Sequence, residues 1–415
     1  MNPYGLAIKS LRYRTWTVGM TVLSIGLGVA LLLGVERIRH DARSSFIWTL
    51  SGTDLVVGAR SGPVSLLLYT VFGVGNPTRN ISWETYEKIK ADPRIAWTIP
   101  LSLGDSHKGF RVLGTEPVYF ERYLFGDRKR PTFAAGDSFQ SAYDAVLGAH
   151  VARRLGYELG DEIVLAHGHG EGFVDHADQP FTVSGILRPT GTPVDRTVHI
   201  SLKGMAAIHA DWGPGHDHDH DDHDPLAAAL RKHQDSPEQI TAFFVGTKTR
   251  ASALSLQRTI NTSKEEPLSG VLPGVALMEL WSVVRVGEYA LLIISLFVLA
   301  VALAGMFTAL MTSLNERRRE MAILRSVGAQ ARQIVGLIVI EAGAVTLAGL
   351  VAGVLIFHGL LVGFRPILSE RFGLLMELQA LRLHEWGLLL FVMLFGMLAG
   401  LIPGLKCSRQ ALNDG

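Results

Sequence analysis

The residues with the densest ligating chemistry stand in one short run, GPGHDHDHDDHDP, Gly213 to Pro225. Four histidines (His216, His218, His220 and His223) and five aspartates fall within nine positions. Imidazole and carboxylate together suit Zn2+, and also Ni2+ or Cu2+. In an extended chain His216, His218 and His220 share a face, and in a helix His216, His220 and His223 do, so either conformation offers three imidazoles on one side. A catalytic zinc needs a rigid, apolar-walled pocket with outer partners that hold its ligands. A wholly polar run flanked by Gly and Pro supplies no such frame. The pattern reads as a low-specificity capture or sensing loop for zinc, or as a solvated insertion with incidental affinity. A looser group, His167, His169 and His176 in HGHGEGFVDH, is interleaved with glycines and reads as a solvated turn. No residue is assigned a catalytic role.

The elements that carry these groups are segregated by polarity. Over 415 residues the net charge is +1, so no global field points to nucleic acid. Cys407 is the single cysteine, which excludes an internal disulfide and a Cys-based zinc site. Trp16 to Val35, Tyr289 to Leu314 and Trp386 to Leu405 contain no charge, and Ile334 to about Phe364 is apolar apart from Glu341 and His358. About 20 apolar residues cross a bilayer core, so these are four transmembrane helices. Glu36-Arg37-Ile38-Arg39 follows the first run where a signal peptide would show small residues, so that span reads as an uncleaved anchor. Lys9, Arg12 and Arg14, the five arginines between Arg317 and Arg332, and Lys406 with Arg409 fall on one side when both termini are cytosolic. Trp16, Trp281 and Trp386 are expected at the membrane interfaces.

The implied fold is an integral membrane protein with a large α+β periplasmic domain of two lobes between helices 1 and 2. It divides into 1–36 (cytosolic segment and first span), 37–284 (outer domain), 285–314 (second span) and 315–333 (cytosolic helix). Then come 334–364 (third span), 365–385 (outer link), 386–405 (fourth span) and 406–415 (cytosolic tail). Within the domain, Trp83 to Ala91 reads as a helix capped by Ser82 and Arg250 to Thr262 as another. Phe110 to Gly114, Ile163 to Ala166, Phe181 to Leu187, Thr197 to Leu202 and Ala242 to Gly246 read as strands. Asp144 to Leu155 reads as a strand running into a helix.

The cytosolic loop reads NERRREMAILRSVGAQARQ. Met321, Ile323, Leu324 and Val327 make an apolar helical face beside charged residues, and Gly328 stands where a helix stops. Such a helix lies on lipid or docks in a partner's groove. The stretch ERRREMAILRSVGA resembles the coupling-helix signature of the MacB/FtsX/LolC permease family, the type VII ABC transporter permeases. Glu341 early in the third span (IVIEAGAVTLAGLVAG), the tail AGLIPGLKCSRQAL and the domain stretch DAVLGAHVARRLGYELGDEI are similar to that family too.

The resemblance implies two permease chains pairing in a bacterial inner membrane, each coupling helix seated on a cytosolic ABC ATPase subunit. Glu316, Arg317, Arg318, Arg319, Glu320, Arg325 and Gly328 become the ATPase-coupling candidates. ATP acts through the partner, because the chain has no GxxxxGK[ST] loop to cradle phosphates. Such permeases transmit movement through spans one and two to the periplasmic domains and a periplasmic partner protein, for export, extraction or a metal-linked process. The alternative is a transmembrane regulator that activates a periplasmic partner without moving cargo. Glu341, roughly 10 Å into its span at 1.5 Å per residue, reads as a structural carboxyl. A metal-conducting pore would need ligands at mid-depth, and His358, near the outer end of its span, is a poor substitute.

Overall fold

A computed structural model describes residues 15–47, 49–167, 174–175, 180–210, 237–316, 330–372 and 380–413. The chain divides into two compact units. One holds Met1–Asp41, Val284–Ile367 and Met376–Gly415, and the other holds Ala42–Val283 with Leu368–Leu375.

The second unit is built on one sheet. Its strands are β1 (Leu55–Ala59), β2 (Ile81–Ser82), β3 (Ile95–His107), β4 (Phe110–Thr115), β5 (Phe133–Gly136), β6 (Asp144–Leu147), β7 (Glu162–Ile163), β8 (Ala166–His167), β9 (Val174–Asp175), β10 (Phe181–Leu187), β11 (Thr197–Ser201), β12 (Gln239–Ile240), β13 (Ala242–Thr247) and β14 (Leu268–Val271). The path runs β14-β1-β13-β3-β4-β11-β6-β10-β5, with β7 and the β8–β9 pair attached at the side, while β2 and β12 pair separately.

Side chains alternate across a strand, and this sorts the core. Val56, Leu113, Val146, Leu187 and Phe244 join one cluster that runs along one face. On the opposite face their neighbours fall into two clusters. Leu55, Val57, Phe243 and Val245 pack with Tyr86, Leu256 and Ile260. Val112, Ala145, Leu147, Val198 and Ile200 pack with Val151, Met205 and Ile208. The two expected lobes are therefore two halves of a single sheet, each covered by its own helices.

Local chemistry sets the helix bounds. The helix at Trp83–Lys90 starts where Ser82 accepts a hydrogen bond from the Thr85 amide, and that at Arg250–Asn261 where Thr249 accepts from Ser252. The helix at Ala149–Leu155 ends on Gly156 at φ 74°, a left-handed stop. The strand expected over Ile163 to Ala166 is instead two short ones, with β7 on β10 and β8 on β3. Between them the Val164 carbonyl sits 2.6 Å from His107 Nδ1, which withdraws it from any ladder.

The first unit contains most of four long helices: α1 (Thr15–Ile47), α2 (Pro273–Glu316), α3 (Ala331–Phe372) and α4 (Leu383–Asn413), of which 42–47, 273–283 and 368–372 count with the second unit. Their membrane-compatible stretches are Thr15–Asp41, Arg285–Thr312, Arg332–Phe364 and Leu383–Lys406. The helix α3 continues beyond the apolar stretch, eight residues into the expected outer link. Trp16 and Trp386 are exposed, as interfacial aromatics should be. Trp281 is the exception. It is 6% exposed and counts with the sheet unit, so it packs inside protein rather than at a lipid surface.

Helix packing in lipid has little hydrophobic drive and relies on close approach. Gly26, Gly349 and Gly353 bring α1 and α3 together. An added Cβ at Gly353 would lie 2.7 Å from Val29 Cβ, and one at Gly349 2.6 Å from Ile25 Cγ2. On the other side of α3, Gly400 faces Ala342, Gly396 faces Thr346 and Gly404 faces Val335.

Candidate functional site

The ATPase-coupling candidates begin at the last residue of α2, Glu316. Arg317, Arg318, Arg319, Glu320, Arg325 and Gly328 lie outside the described residues, as do His216, His218, His220 and His223. Among the described residues no group of three or more His, Cys, Asp or Glu side chains could hold a metal.

Glu341 is described. It is 7% exposed, on the α3 helix next to the Ala342–Gly400 crossing, and it is engaged with the protein. His358 turns to its own helix, with Nδ1 2.9 Å from the Val354 carbonyl and its ring against Phe357.

Among the described residues, the densest ionic constellation lies outside these candidate positions. It joins the domain-side end of α1 to the start of α4. Arg37, 3% exposed, points Nη1 at Glu385 Oε1, 3.3 Å away across 348 residues of sequence, and Nε at Asp41 Oδ2, 3.4 Å away. The other Glu385 oxygen accepts from the Arg382 amide at 2.7 Å, in the first turn of α4. Arg382 Nη2 reaches Asp41 Oδ1 at 2.9 Å. Glu36 takes both prongs of Arg39, at 2.7 and 3.0 Å, with His384 Nε2 3.5 Å away. His40 and His384 stack with centroids 5.7 Å apart. The signal lay in two runs, ERIRHD after the first span and RLHE before the fourth, whose charges are complementary. Only their pairing needed the fold.

Polar groups inside the domain serve its architecture. His199 is fully buried against Tyr119 and Phe120, and burial pushes its pKa down to about 4. Burial likewise lowers His107, whose ring bridges the Val164 carbonyl and the Tyr157 hydroxyl. Asp195 is held up by burial although Thr190 and Gly191 donate to it.

Two family models cover most of the chain: the MacB-like periplasmic core domain over residues 18–257 and the FtsX-like permease C-terminal region over 292–413. The chain belongs to the MacB/FtsX-like permease family. It is an ABC transporter permease of this type, with four membrane helices and its α/β periplasmic core domain between the first and second. No curated protein matches it. One solved structure it resembles is the extracellular domain of the noncanonical ABC-type transporter YknZ from Gram-positive bacteria. That match has 11% identity and a TM-score of 0.30, and covers 53% of this permease and 98% of that chain. A likeness this loose adds nothing to the fold described above.

Proposed function

We propose that this permease is a mechanotransmitter, coupling ATP hydrolysis by a separate cytosolic ATPase to a periplasmic export, extraction or metal-linked event. The observation that carries the reading is α2. It runs unbroken for 44 residues, from Pro273, just past the last strand of the domain, to Glu316, the first residue of the coupling candidates. At 1.5 Å per residue, 44 helical residues have a contour length of about 66 Å. Movement imposed at the charged loop has a stiff element along which to travel. The positive-inside pattern supports cytosolic termini in a bacterial inner membrane.

Pairing of two permease chains is part of the proposal. A groove of about 840 Å3 lies between α1 and α2, lined by Thr17, Thr21 and Ser24 on one side and Ala302, Gly305 and Thr308 on the other. Small side chains and hydroxyls of this kind favour close helix contact in lipid. A second copy fits such a surface.

The test is purification with the co-encoded ATPase. Replacing Arg317, Arg318 and Arg319 with Ala, or Glu320 with Lys, is expected to abolish permease-dependent ATP turnover, and indifference to these changes would sink the assignment. Zinc is proposed as a ligand of His216, His218, His220 and His223. Deleting Gly215 to Asp224 is expected to lower bound zinc and to slow growth when zinc is scarce. Binding lost with growth unchanged would leave the loop an incidental chelator. A cell-wall hydrolase co-purifying with the complex, with no cargo, would favour the regulator reading.

A further inference from the structure

A cation is set into one face of the periplasmic sheet. Side chains alternate along β4, so Arg111 stands on the same face as Leu113, while Phe110 and Val112 pack on the other. Beside it lies a cavity of about 30 Å3, walled by Tyr69, Leu113, Tyr119, Tyr123 and Phe244. Arg111 is the only charged residue in its lining. Gly73, Leu103, Arg111 and Thr197 also line it and are only half-buried, which leaves the cavity open on their side.

The guanidinium is held but not neutralised. Nη2 donates to the Gly75 carbonyl and to Asn76 Oδ1, the latter 3.1 Å away. Nε is buried and has no hydrogen-bond partner. Among the described residues no carboxylate forms an ion pair with Arg111. Burial lowers its pKa, and no neighbouring acid opposes the shift. Buried donors in native proteins are nearly always answered, and an unanswered one points to a missing water or ion. A desolvated cation is costly until an anion completes it.

The backbone around Arg111 is shaped for this. The β3 register shifts between Leu103 and Ser106, and Ser106 is the residue paired with Arg111. Such bulges re-aim side chains beside binding sites. The segment after the Pro63–Thr70 helix folds over the guanidinium through Gly73, at φ 65°. A Cβ there would lie 3.3 Å from Arg111 Cδ and 3.8 Å from Nε. Since Gly73 lines the cavity too, Nε stands at the cavity wall.

We propose that this cavity binds a carboxylate group, with Arg111 Nε as the donor that receives it. The chemical class follows from charge and size. A space of about 30 Å3 holds about two water-sized oxygens, which a carboxylate supplies on one carbon. A tetrahedral phosphate is too large for it. Aromatic and aliphatic walls suit the short apolar stem behind a carboxylate. That carboxylate belongs to a free small acid or to an Asp or Glu side chain of a peptide, and the test separates the two. The site depends on neither the coupling loop nor the histidine run.

The full-length permease in lipid nanodiscs is titrated with acetate, and binding is followed by saturation-transfer NMR on the acetate methyl group. Saturable binding is expected. Arg111→Gln is expected to raise the Kd at least about tenfold, the loss of one charge-assisted hydrogen bond. Leu103→Phe fills the open side with Arg111 in place and is expected to weaken binding as well, so it decides the matter if Arg111→Gln does not fold. Inorganic phosphate at matched ionic strength is expected not to displace acetate. A second arm adds a capped peptide with one glutamate, or the same peptide with glutamine. Displacement of acetate by the glutamate peptide alone makes the ligand a polypeptide side chain. Acetate binding that neither peptide disturbs makes it a free acid, and either result upholds the site. Absence of saturable acetate binding, displacement by phosphate, or binding unchanged in the folded variants overturns the proposal.

Discussion

Arg37 and Glu385 show what a buried charge does in this protein. Each is nearly sealed from solvent, and each holds a second partner. Removing one charge strands the other, which costs about 3–5 kcal/mol for buried pairs, whereas replacing both with apolar residues is close to neutral. Arg37→Met and Glu385→Met singly are thus expected to lower the melting temperature of the detergent-solubilised permease. The double variant should recover most of the loss, as read by differential scanning fluorimetry. His199 makes a prediction with pH. Its pKa is about 4 in the folded domain against 6.5 ordinarily, so unfolding takes up a proton. Its contribution is complete above about pH 6.5 and is lost as pH falls towards 4, a difference of about 3 kcal/mol. His199→Phe, packing on Tyr119 and Phe120, should shift acid unfolding of the full chain to lower pH, measured by tryptophan fluorescence. Sequence alone showed neither residue's setting. A histidine in TVHIS looks the same whether buried or exposed, and ERIRHD gives no sign of a partner 348 residues away.

Among the elements, legibility followed local pattern. The strands AFFVG and FTVSGIL and the capped helix at Trp83 were readable because apolar runs, alternation and cap residues are local signals. The long β3 was not. Pro100 lies within it, between β13 and β4, where a missing amide argues against a central strand, and Gly104 and Asp105 follow. The sheet accommodates it with a register shift between Leu103 and Ser106, and the Thr115 hydroxyl donates to the Pro100 carbonyl. The glycines of the membrane helices were likewise silent until their neighbours were known. Gly353→Ala should destabilise by about 1–3 kcal/mol through overpacking against Val29. Gly34→Ala, with open space around it, should be tolerated. Thermal melts of the two variants side by side check the contrast.

For the whole molecule, the family was legible because its signature sits in a single loop and its order of spans is read by counting. The ionic pairing of Arg37, Asp41, Arg382 and Glu385 was not, because it depends on which helix ends meet. Orientation has a direct check. Lys406→Cys, in a Cys407→Ser background, should resist an impermeant maleimide in intact spheroplasts and label after permeabilisation, whereas Lys129→Cys should label in both. The reverse pattern would invert the proposed topology. The sheet carries a last consequence. Among the described residues its open edges are short: β14 and β5 at the ends of the path are four residues each, and β7 and β9 at its side are two each. An edge that short offers few open amides for another copy to capture. Domains crowded on one membrane surface can therefore meet repeatedly without zipping into aggregates.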